Sequence, residues 1–133
     1  MGPTVRRGLT EVVNLLIEKG ADIHVKNNIG YTALHGASWY GRTEVVNLLI
    51  ENGADINVKD NSGRTPLHGA TSNTEVVNLL IEKGADIHVK DNDGATPIHW
   101  ARIYGRTEVV NLLIDIKSEN VLSDFNKFLR GSH

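Results

Sequence analysis

The chain has 133 residues, 40% of them apolar and 23% charged, with 14 basic against 16 acidic side chains and a formal net charge of -2. That balance fits one globular domain spanning residues 1–133, not a disordered chain, and it provides no field to draw in nucleic acid or an anionic membrane. The chain contains no cysteine, so disulfide and thiolate chemistry are excluded, and an intracellular setting is expected.

Apolar runs reach only three residues, as in Leu48-Leu49-Ile50, and Met1 to Arg7 carries no apolar signal region, so neither a membrane span nor an export signal is expected. Arg130-Gly131-Ser132-His133 reads as a vector-derived scar and is given no function. Self-similarity dominates the rest. The octapeptide Thr-Glu-Val-Val-Asn-Leu-Leu-Ile begins at Thr10, Thr43, Thr74 and Thr107, at intervals of 33, 31 and 33 residues.

Residues 8–26 form a half-unit. Its helix closes at Gly20, but only seven residues precede Gly8, so it lacks a convincing first helix. Val12, Val13, Leu15, Leu16 and Ile17 are therefore expected to be partly uncovered. Residues 27–59 form a full unit. A turn at Gly30 leads into Thr32-Ala-Leu-His35, where Thr32 caps a first helix. Thr43 is a candidate cap for the second helix, Glu44 sits near the positive end of its dipole, and Gly53 ends it in a left-handed conformation.

Residues 60–90 repeat the plan with a turn at Gly63, a cap at Thr65 and Pro66 at the first helical position. This unit is two residues short, because Ala70 to Thr74 stands where Ala37 to Thr43 stands before it. Its first helix must end early or its interhelix turn must tighten; Gly84 ends its second helix. Residues 91–120 follow with Gly94, Thr96, Pro97 and His99. Asp115 to Asn120 then abandons the Gly-Ala-Asp pattern, and Val121, Leu122, Phe125, Phe128 and Leu129 form a stripe at helical spacing. The segment 121–129 is expected to be a separate capping helix, since a membrane anchor would need a basic polar face instead of Ser123, Asp124, Asn126 and Lys127.

Helices of about ten residues are marginal alone, and Val-Val-x-Leu-Leu-Ile is apolar around too much of its circumference for a solvated helix. Neighbouring units must cover it. Thr-Pro-Leu-His, the turn glycine, Glu-Val-Val-x-Leu-Leu and Gly-Ala-Asp together resemble the ankyrin repeat over roughly Gly8 to Ile114. The resemblance implies an all-α, L-shaped and slightly curved solenoid of stacked antiparallel helix pairs with projecting β-hairpin or turn loops. It also implies a non-catalytic protein-binding scaffold, without a cofactor, in the cytoplasm of the producing cell or of a host cell.

Repeated histidines invite a metal reading. However, equivalent helices of adjacent units pack about 8–10 Å apart, while ligands must lie within about 2.1 Å of one zinc. The resemblance gives His35, His68 and His99 a structural role, bonding backbone near neighbouring loops. Thr32, Thr65, Thr96, Gly53 and Gly84 are structural as well. Asn57 occupies a position open to an ankyrin-modifying asparaginyl hydroxylase, where His24 and His88 stand in sister units. Gly36 to Thr43 nearly matches a phosphate-binding loop with Arg42 in the lysine position, but Gly36 to Tyr40 falls inside a helix whose amides are used. Asp91-Asn92-Asp93-Gly94 resembles part of a calcium loop, yet the first and twelfth ligands would be Val89 and Trp100. Carboxylates are scattered, so no acid–base pair stands out.

By resemblance, a partner protein meets the loop tips and the exposed side of the first helices. In the first full unit those positions are Asn28, Ile29, Tyr31, Trp39 and Tyr40. In the short unit they are Asn61, Ser62 and Arg64, and in the last Asn92, Asp93, Ala95, Ile103 and Tyr104. Aromatic anchors supply much of the energy at interfaces, although Tyr40, Tyr104 and Trp100 fit seam packing equally well. The short unit lacks counterparts of Trp39 and Tyr40, so a notch is expected between that pair and Ile103-Tyr104. The rival expectation is a homodimer through the uncovered N-terminal half-unit.

Overall fold

A computed structural model describes residues 3–131, with side chains from Gly8 to Arg130. Ser132 and His133 of the terminal tetrapeptide lie outside the described residues. The helices are α1 (Pro3–Glu18), α2 (Ala33–Trp39), α3 (Thr43–Glu51), α4 (Pro66–Gly69), α5 (Thr74–Glu82), α6 (Pro97–Ile103) and α7 (Thr107–Gly131), with a 3-10 turn, Ala70–Ser72, after α4. Among the described residues no helix is long and apolar enough to cross a membrane.

Each first helix starts on a Thr–His pair. The Thr32 N–H donates to His35 Nδ1 at 3.1 Å, and Thr65 and Thr96 do the same to His68 and His99 at 3.0 Å. Pro66 and Pro97 sit in the first turn, where a missing N–H removes no helical bond. The second helices differ from expectation at their starts. Thr43 is the first helical residue of α3, not its cap; Arg42 holds the cap position and makes no side-chain bond there. In α5 Asn73 takes the role, its Oδ1 accepting from Val76 N–H at 3.0 Å.

Both expected responses to the missing two residues occur in the short unit. Its first helix is a single turn continued as a 3-10 turn, and Asn73, at φ -135°, replaces the left-handed glycine that turns the full units at Gly41 and Gly105. The projecting loops are turns, with no strand among the described residues. Each is held by one carboxylate or amide oxygen. Asp60 Oδ1 accepts from the N–H groups of Ser62 and Arg64 at 2.9 Å, and Asn27 and Asp91 serve their loops alike. Because that side chain already satisfies the tip donors, a two-stranded ladder is unnecessary.

Leucine burial records the stacking. Leu49, Leu80 and Leu113 occupy equivalent octapeptide positions and are 2% exposed or less, whereas the equivalent Leu16 is 54% exposed. Leu34 and Leu67 join them from the first helices. In α1, Val13 and Ile17 pack on this core while Val12, Leu15 and Leu16 face outward.

No separate capping helix forms over 121–129. Asp115 to Asn120 contains neither Gly nor Pro, nothing stops the helix, and α7 runs unbroken for 25 residues. The boundary expected at 120/121 thus lies inside one helix. Val121, Leu122, Phe125, Phe128 and Leu129 are between 51% and 72% exposed, so this stripe does not close the core.

Candidate protein-binding surface

The loop tips stand in register because each grips the one before it. Asn61 N–H donates to Ile29 O at 3.0 Å and Asn92 N–H to Ser62 O at 2.9 Å. The side-chain amides add a second rail, Asn61 Nδ2 to Asn28 O and Asn92 Nδ2 to Asn61 O, both at 3.0 Å. Glycine is required beneath them: Gly30 has φ +81°, and a Cβ there would lie 2.7 Å from Asn61 N. Asn61 and Asn92 therefore hold the loops together while presenting exposed edges beside Asn28, Ser62, Asp93 and the 51%-exposed Ile29. Ala95 is half-buried, and its carbonyl accepts from His68 Nε2.

Tyr31 is half-buried. Its ring stacks on His35 with centroids 5.1 Å apart and planes 9° from parallel. The Arg64 guanidinium lies 5.6 Å from the Tyr31 ring centroid and 5.8 Å from that of Trp100, while its Nε reaches Asp60 Oδ2 at 2.7 Å. Arg64 thus clamps two rings and a buried carboxylate together, which ties it to the fold more than to a free surface.

Farther along the first helices, Trp39, Tyr40, Ile103 and Tyr104 are 43%, 69%, 74% and 59% exposed. Between Trp39 on one side and Trp100 and Tyr104 on the other lies a groove of about 320 Å³, with Gly69, Thr71 and Ser72 along its floor and Arg106 at its edge. Tyr40 and Ile103 do not line it. Gly69 brings no side chain into this space, and Trp39 Cε3 lies 3.2 Å from where its Cβ would be.

Trp100 is placed by its indole N–H, which donates to Asp91 Oδ2 at 2.9 Å, and by edge contacts with Tyr104 and His68, both at 5.9 Å between centroids. Burial pushes the Asp91 carboxyl up, but the donors from Ala95 N–H, the Trp100 indole and Asp93 N–H outweigh it and leave the pKa below the usual carboxylate value. Trp100, Ser72 and Arg106 were absent from the sequence-derived set of contact positions. Trp100 carried a readable signal, a large ring where the sister units have Gly36 and Gly69.

His35 and His68 have both ring nitrogens engaged. His35 Nε2 meets Arg64 O at 3.0 Å and His68 Nε2 meets Ala95 O at 2.9 Å. Since each Nδ1 accepts from the threonine N–H, the proton sits on Nε2 and the ring is neutral. Burial lowers the pKa of both, against the raising influence of those carbonyls. His99 is exposed, and among the described residues its Nε2 has no acceptor, because α7 continues where a following loop would supply one. Asn57 is half-buried, with Oδ1 accepting from Asp86 N–H at 2.9 Å; His24 and His88 are exposed. Around Gly36 to Arg42 the amides are engaged, Tyr40 N–H to Gly36 O at 3.0 Å and Arg42 N–H to Ala37 O at 2.9 Å, so they form no phosphate cradle.

Two family models match the sequence. One, described as ankyrin repeats (many copies), covers residues 16–70, and the other, ankyrin repeats (3 copies), covers residues 57–124. No curated protein matches.

Proposed function

Because the chain belongs to the ankyrin-repeat family, whose members are generally protein-interaction modules and typically non-enzymatic, we propose that it is a non-catalytic scaffold. It docks a partner protein or peptide on the face made by its loop tips and first helices. The observation that supports this reading is the groove between Trp39 and Trp100–Tyr104, two aromatic walls over Gly69, Thr71 and Ser72. An apolar side chain of a partner entering it would be enclosed as interface hot spots usually are. Tyr40, Ile103 and Ile29, which do not line the groove, are all more than half exposed and belong to the same proposed face. The reading places the protein in the cytoplasm of its own or a host cell, and gives it neither a cofactor nor a nucleic-acid partner.

Affinity capture from extracts of the native cell tests it. Partners bound by the parent chain should be lost with Trp39→Ala plus Tyr104→Ala. Retention of every partner by the double variant would remove the groove from the account, and absence of any specific partner would remove the function. A second reading, self-association through the half-unit, is favoured by the exposure of Leu9, Val12, Leu15 and Leu16, each between 41% and 55%. Loss of association with Leu16→Asp in sedimentation would support it; a strictly monomeric parent chain would end it.

A further inference from the structure

The outer part of α7 has a seam that neither reading uses. Ile114, Ser118, Val121, Phe125 and Phe128 follow one another at spacings of four, three, four and three residues, the spacing that keeps one edge of a helix facing a second helix. Ile114 is 38% exposed, and Val121, Phe125 and Phe128 are 62%, 56% and 72% exposed. Leu122, 61% exposed, widens the seam on one flank. On the other flank stand Lys117 and Asp124, one heptad apart, both exposed and neither in an ion pair among the described residues.

We propose that this edge pairs with a second copy of the chain, the two α7 helices running antiparallel about a two-fold axis near residues 119 and 120. In that register Phe125 of one copy packs on Ile114 of the other, Ser118 meets Val121, and Lys117 faces Asp124 across the flank twice, once for each copy. The charges select the direction. A parallel pair would set Lys117 beside Leu122 and leave both charges without opposite partners. It would also bring both stacks to the same end of the pair, where they compete for space. The antiparallel arrangement carries them to opposite ends, and it lays each tail across the Ile114 edge at the open end of the other stack.

Five apolar side chains from each copy, each losing on the order of 100 Å² of accessible surface, bury about 1,000 Å² in all. That is just under the roughly 1,200 Å² at which stable interfaces begin. At that size a weak, reversible dimer is the expectation, with a Kd inside the concentration range tested below.

Sedimentation of the whole chain between about 1 µM and 1 mM tests the proposal. The parent should pass from monomer to dimer, and Phe125→Asp should weaken association at least about tenfold. Phe125 is exposed, so the helical circular dichroism and melting of the monomer should not change. Lys117→Asp should weaken the dimer, and adding Asp124→Lys should restore it, because the pair is then reversed and still opposite. A single monomeric species at 1 mM would overturn the proposal. So would an association that survives Phe125→Asp but is lost with Leu16→Asp, an outcome that selects the half-unit edge, and so would a charge-reversed double variant no stronger than Lys117→Asp alone.

Discussion

Replacing His68 by Leu should show how much one inter-unit histidine contributes. The ring is fully buried, Nδ1 accepts from Thr65 N–H at 3.0 Å, and Nε2–H donates to Ala95 O at 2.9 Å. Leucine keeps much of the volume and neither bond. A buried polar group left without a partner costs about 1–3 kcal/mol; with one group buried and the other half-covered, the expected loss is about 2–4 kcal/mol. That is a large share of the roughly 5–15 kcal/mol available to a domain. The internal control is His99→Leu, at the same motif position but exposed and without a carbonyl acceptor, which should cost less than about 1 kcal/mol. Urea titration followed by both circular dichroism and tryptophan fluorescence measures each loss, and agreement of the two probes checks that the units unfold together. Equal losses at the two positions would refute the argument that the cross-unit bond sets the cost.

Acidification should destabilise the fold below neutrality. His35 and His68 have folded pKa values lowered from 6.5 by burial, so below about pH 6.5 the unfolded chain binds protons that the folded chain refuses. Urea midpoints should be level above about pH 7 and fall toward pH 5; a rise on acidification would contradict the neutral assignment. Gly63→Ala should lower the melting temperature more than Gly84→Ala. Both glycines have positive φ, but only at Gly63 would a Cβ meet a neighbour, Asn92 N at 3.0 Å, giving about 2–3 kcal/mol against about 1. Leu49→Ala should cost about 2–5 kcal/mol and Leu16→Ala about 1 or less, although they share an octapeptide position. Ser38→Ala should stabilise by about 1 kcal/mol, since the buried Ser38 Oγ has no hydrogen-bond partner among the described residues while its sister Thr71 donates to His68 O; a loss on denaturant titration would show the hydroxyl is satisfied.

The repeat made most of the fold legible in the sequence. Thr32, Pro66 and the glycines at 20, 53 and 84 mark helix boundaries through local chemistry, and local chemistry is visible in a single chain. The cap at Asn73 is less legible, because Thr74 opens the copied octapeptide and is itself a residue type that caps helices. The continuity of α7 depended on a missing stop signal instead of a present one, and the apolar stripe at 121–129 implied burial that nothing in the stack supplies. In the groove, Trp39 and Tyr104 followed from repeat position. Trp100 was legible as a large ring where the sister units have glycine, whereas Ser72 and Arg106 carry no local signal and reach the groove only through the packing of the units. Arg64 reads in the sequence as a surface cation, because the approach of Asp60 and of the Tyr31 and Trp100 rings is set by tertiary packing.

The bonds between loops have a direction. Asn61 and Asn92 reach back through their amides to the loop before, and His35 and His68 reach forward to the loop after. Both junctions between full units are therefore fastened by atoms that the units bring with them. A duplicated unit arrives already carrying both fasteners, so a gene can lengthen or shorten this array by whole copies without a compensating change in the neighbours. His99, with Nε2 exposed at the end of the series, is the coupling at which such an addition would engage.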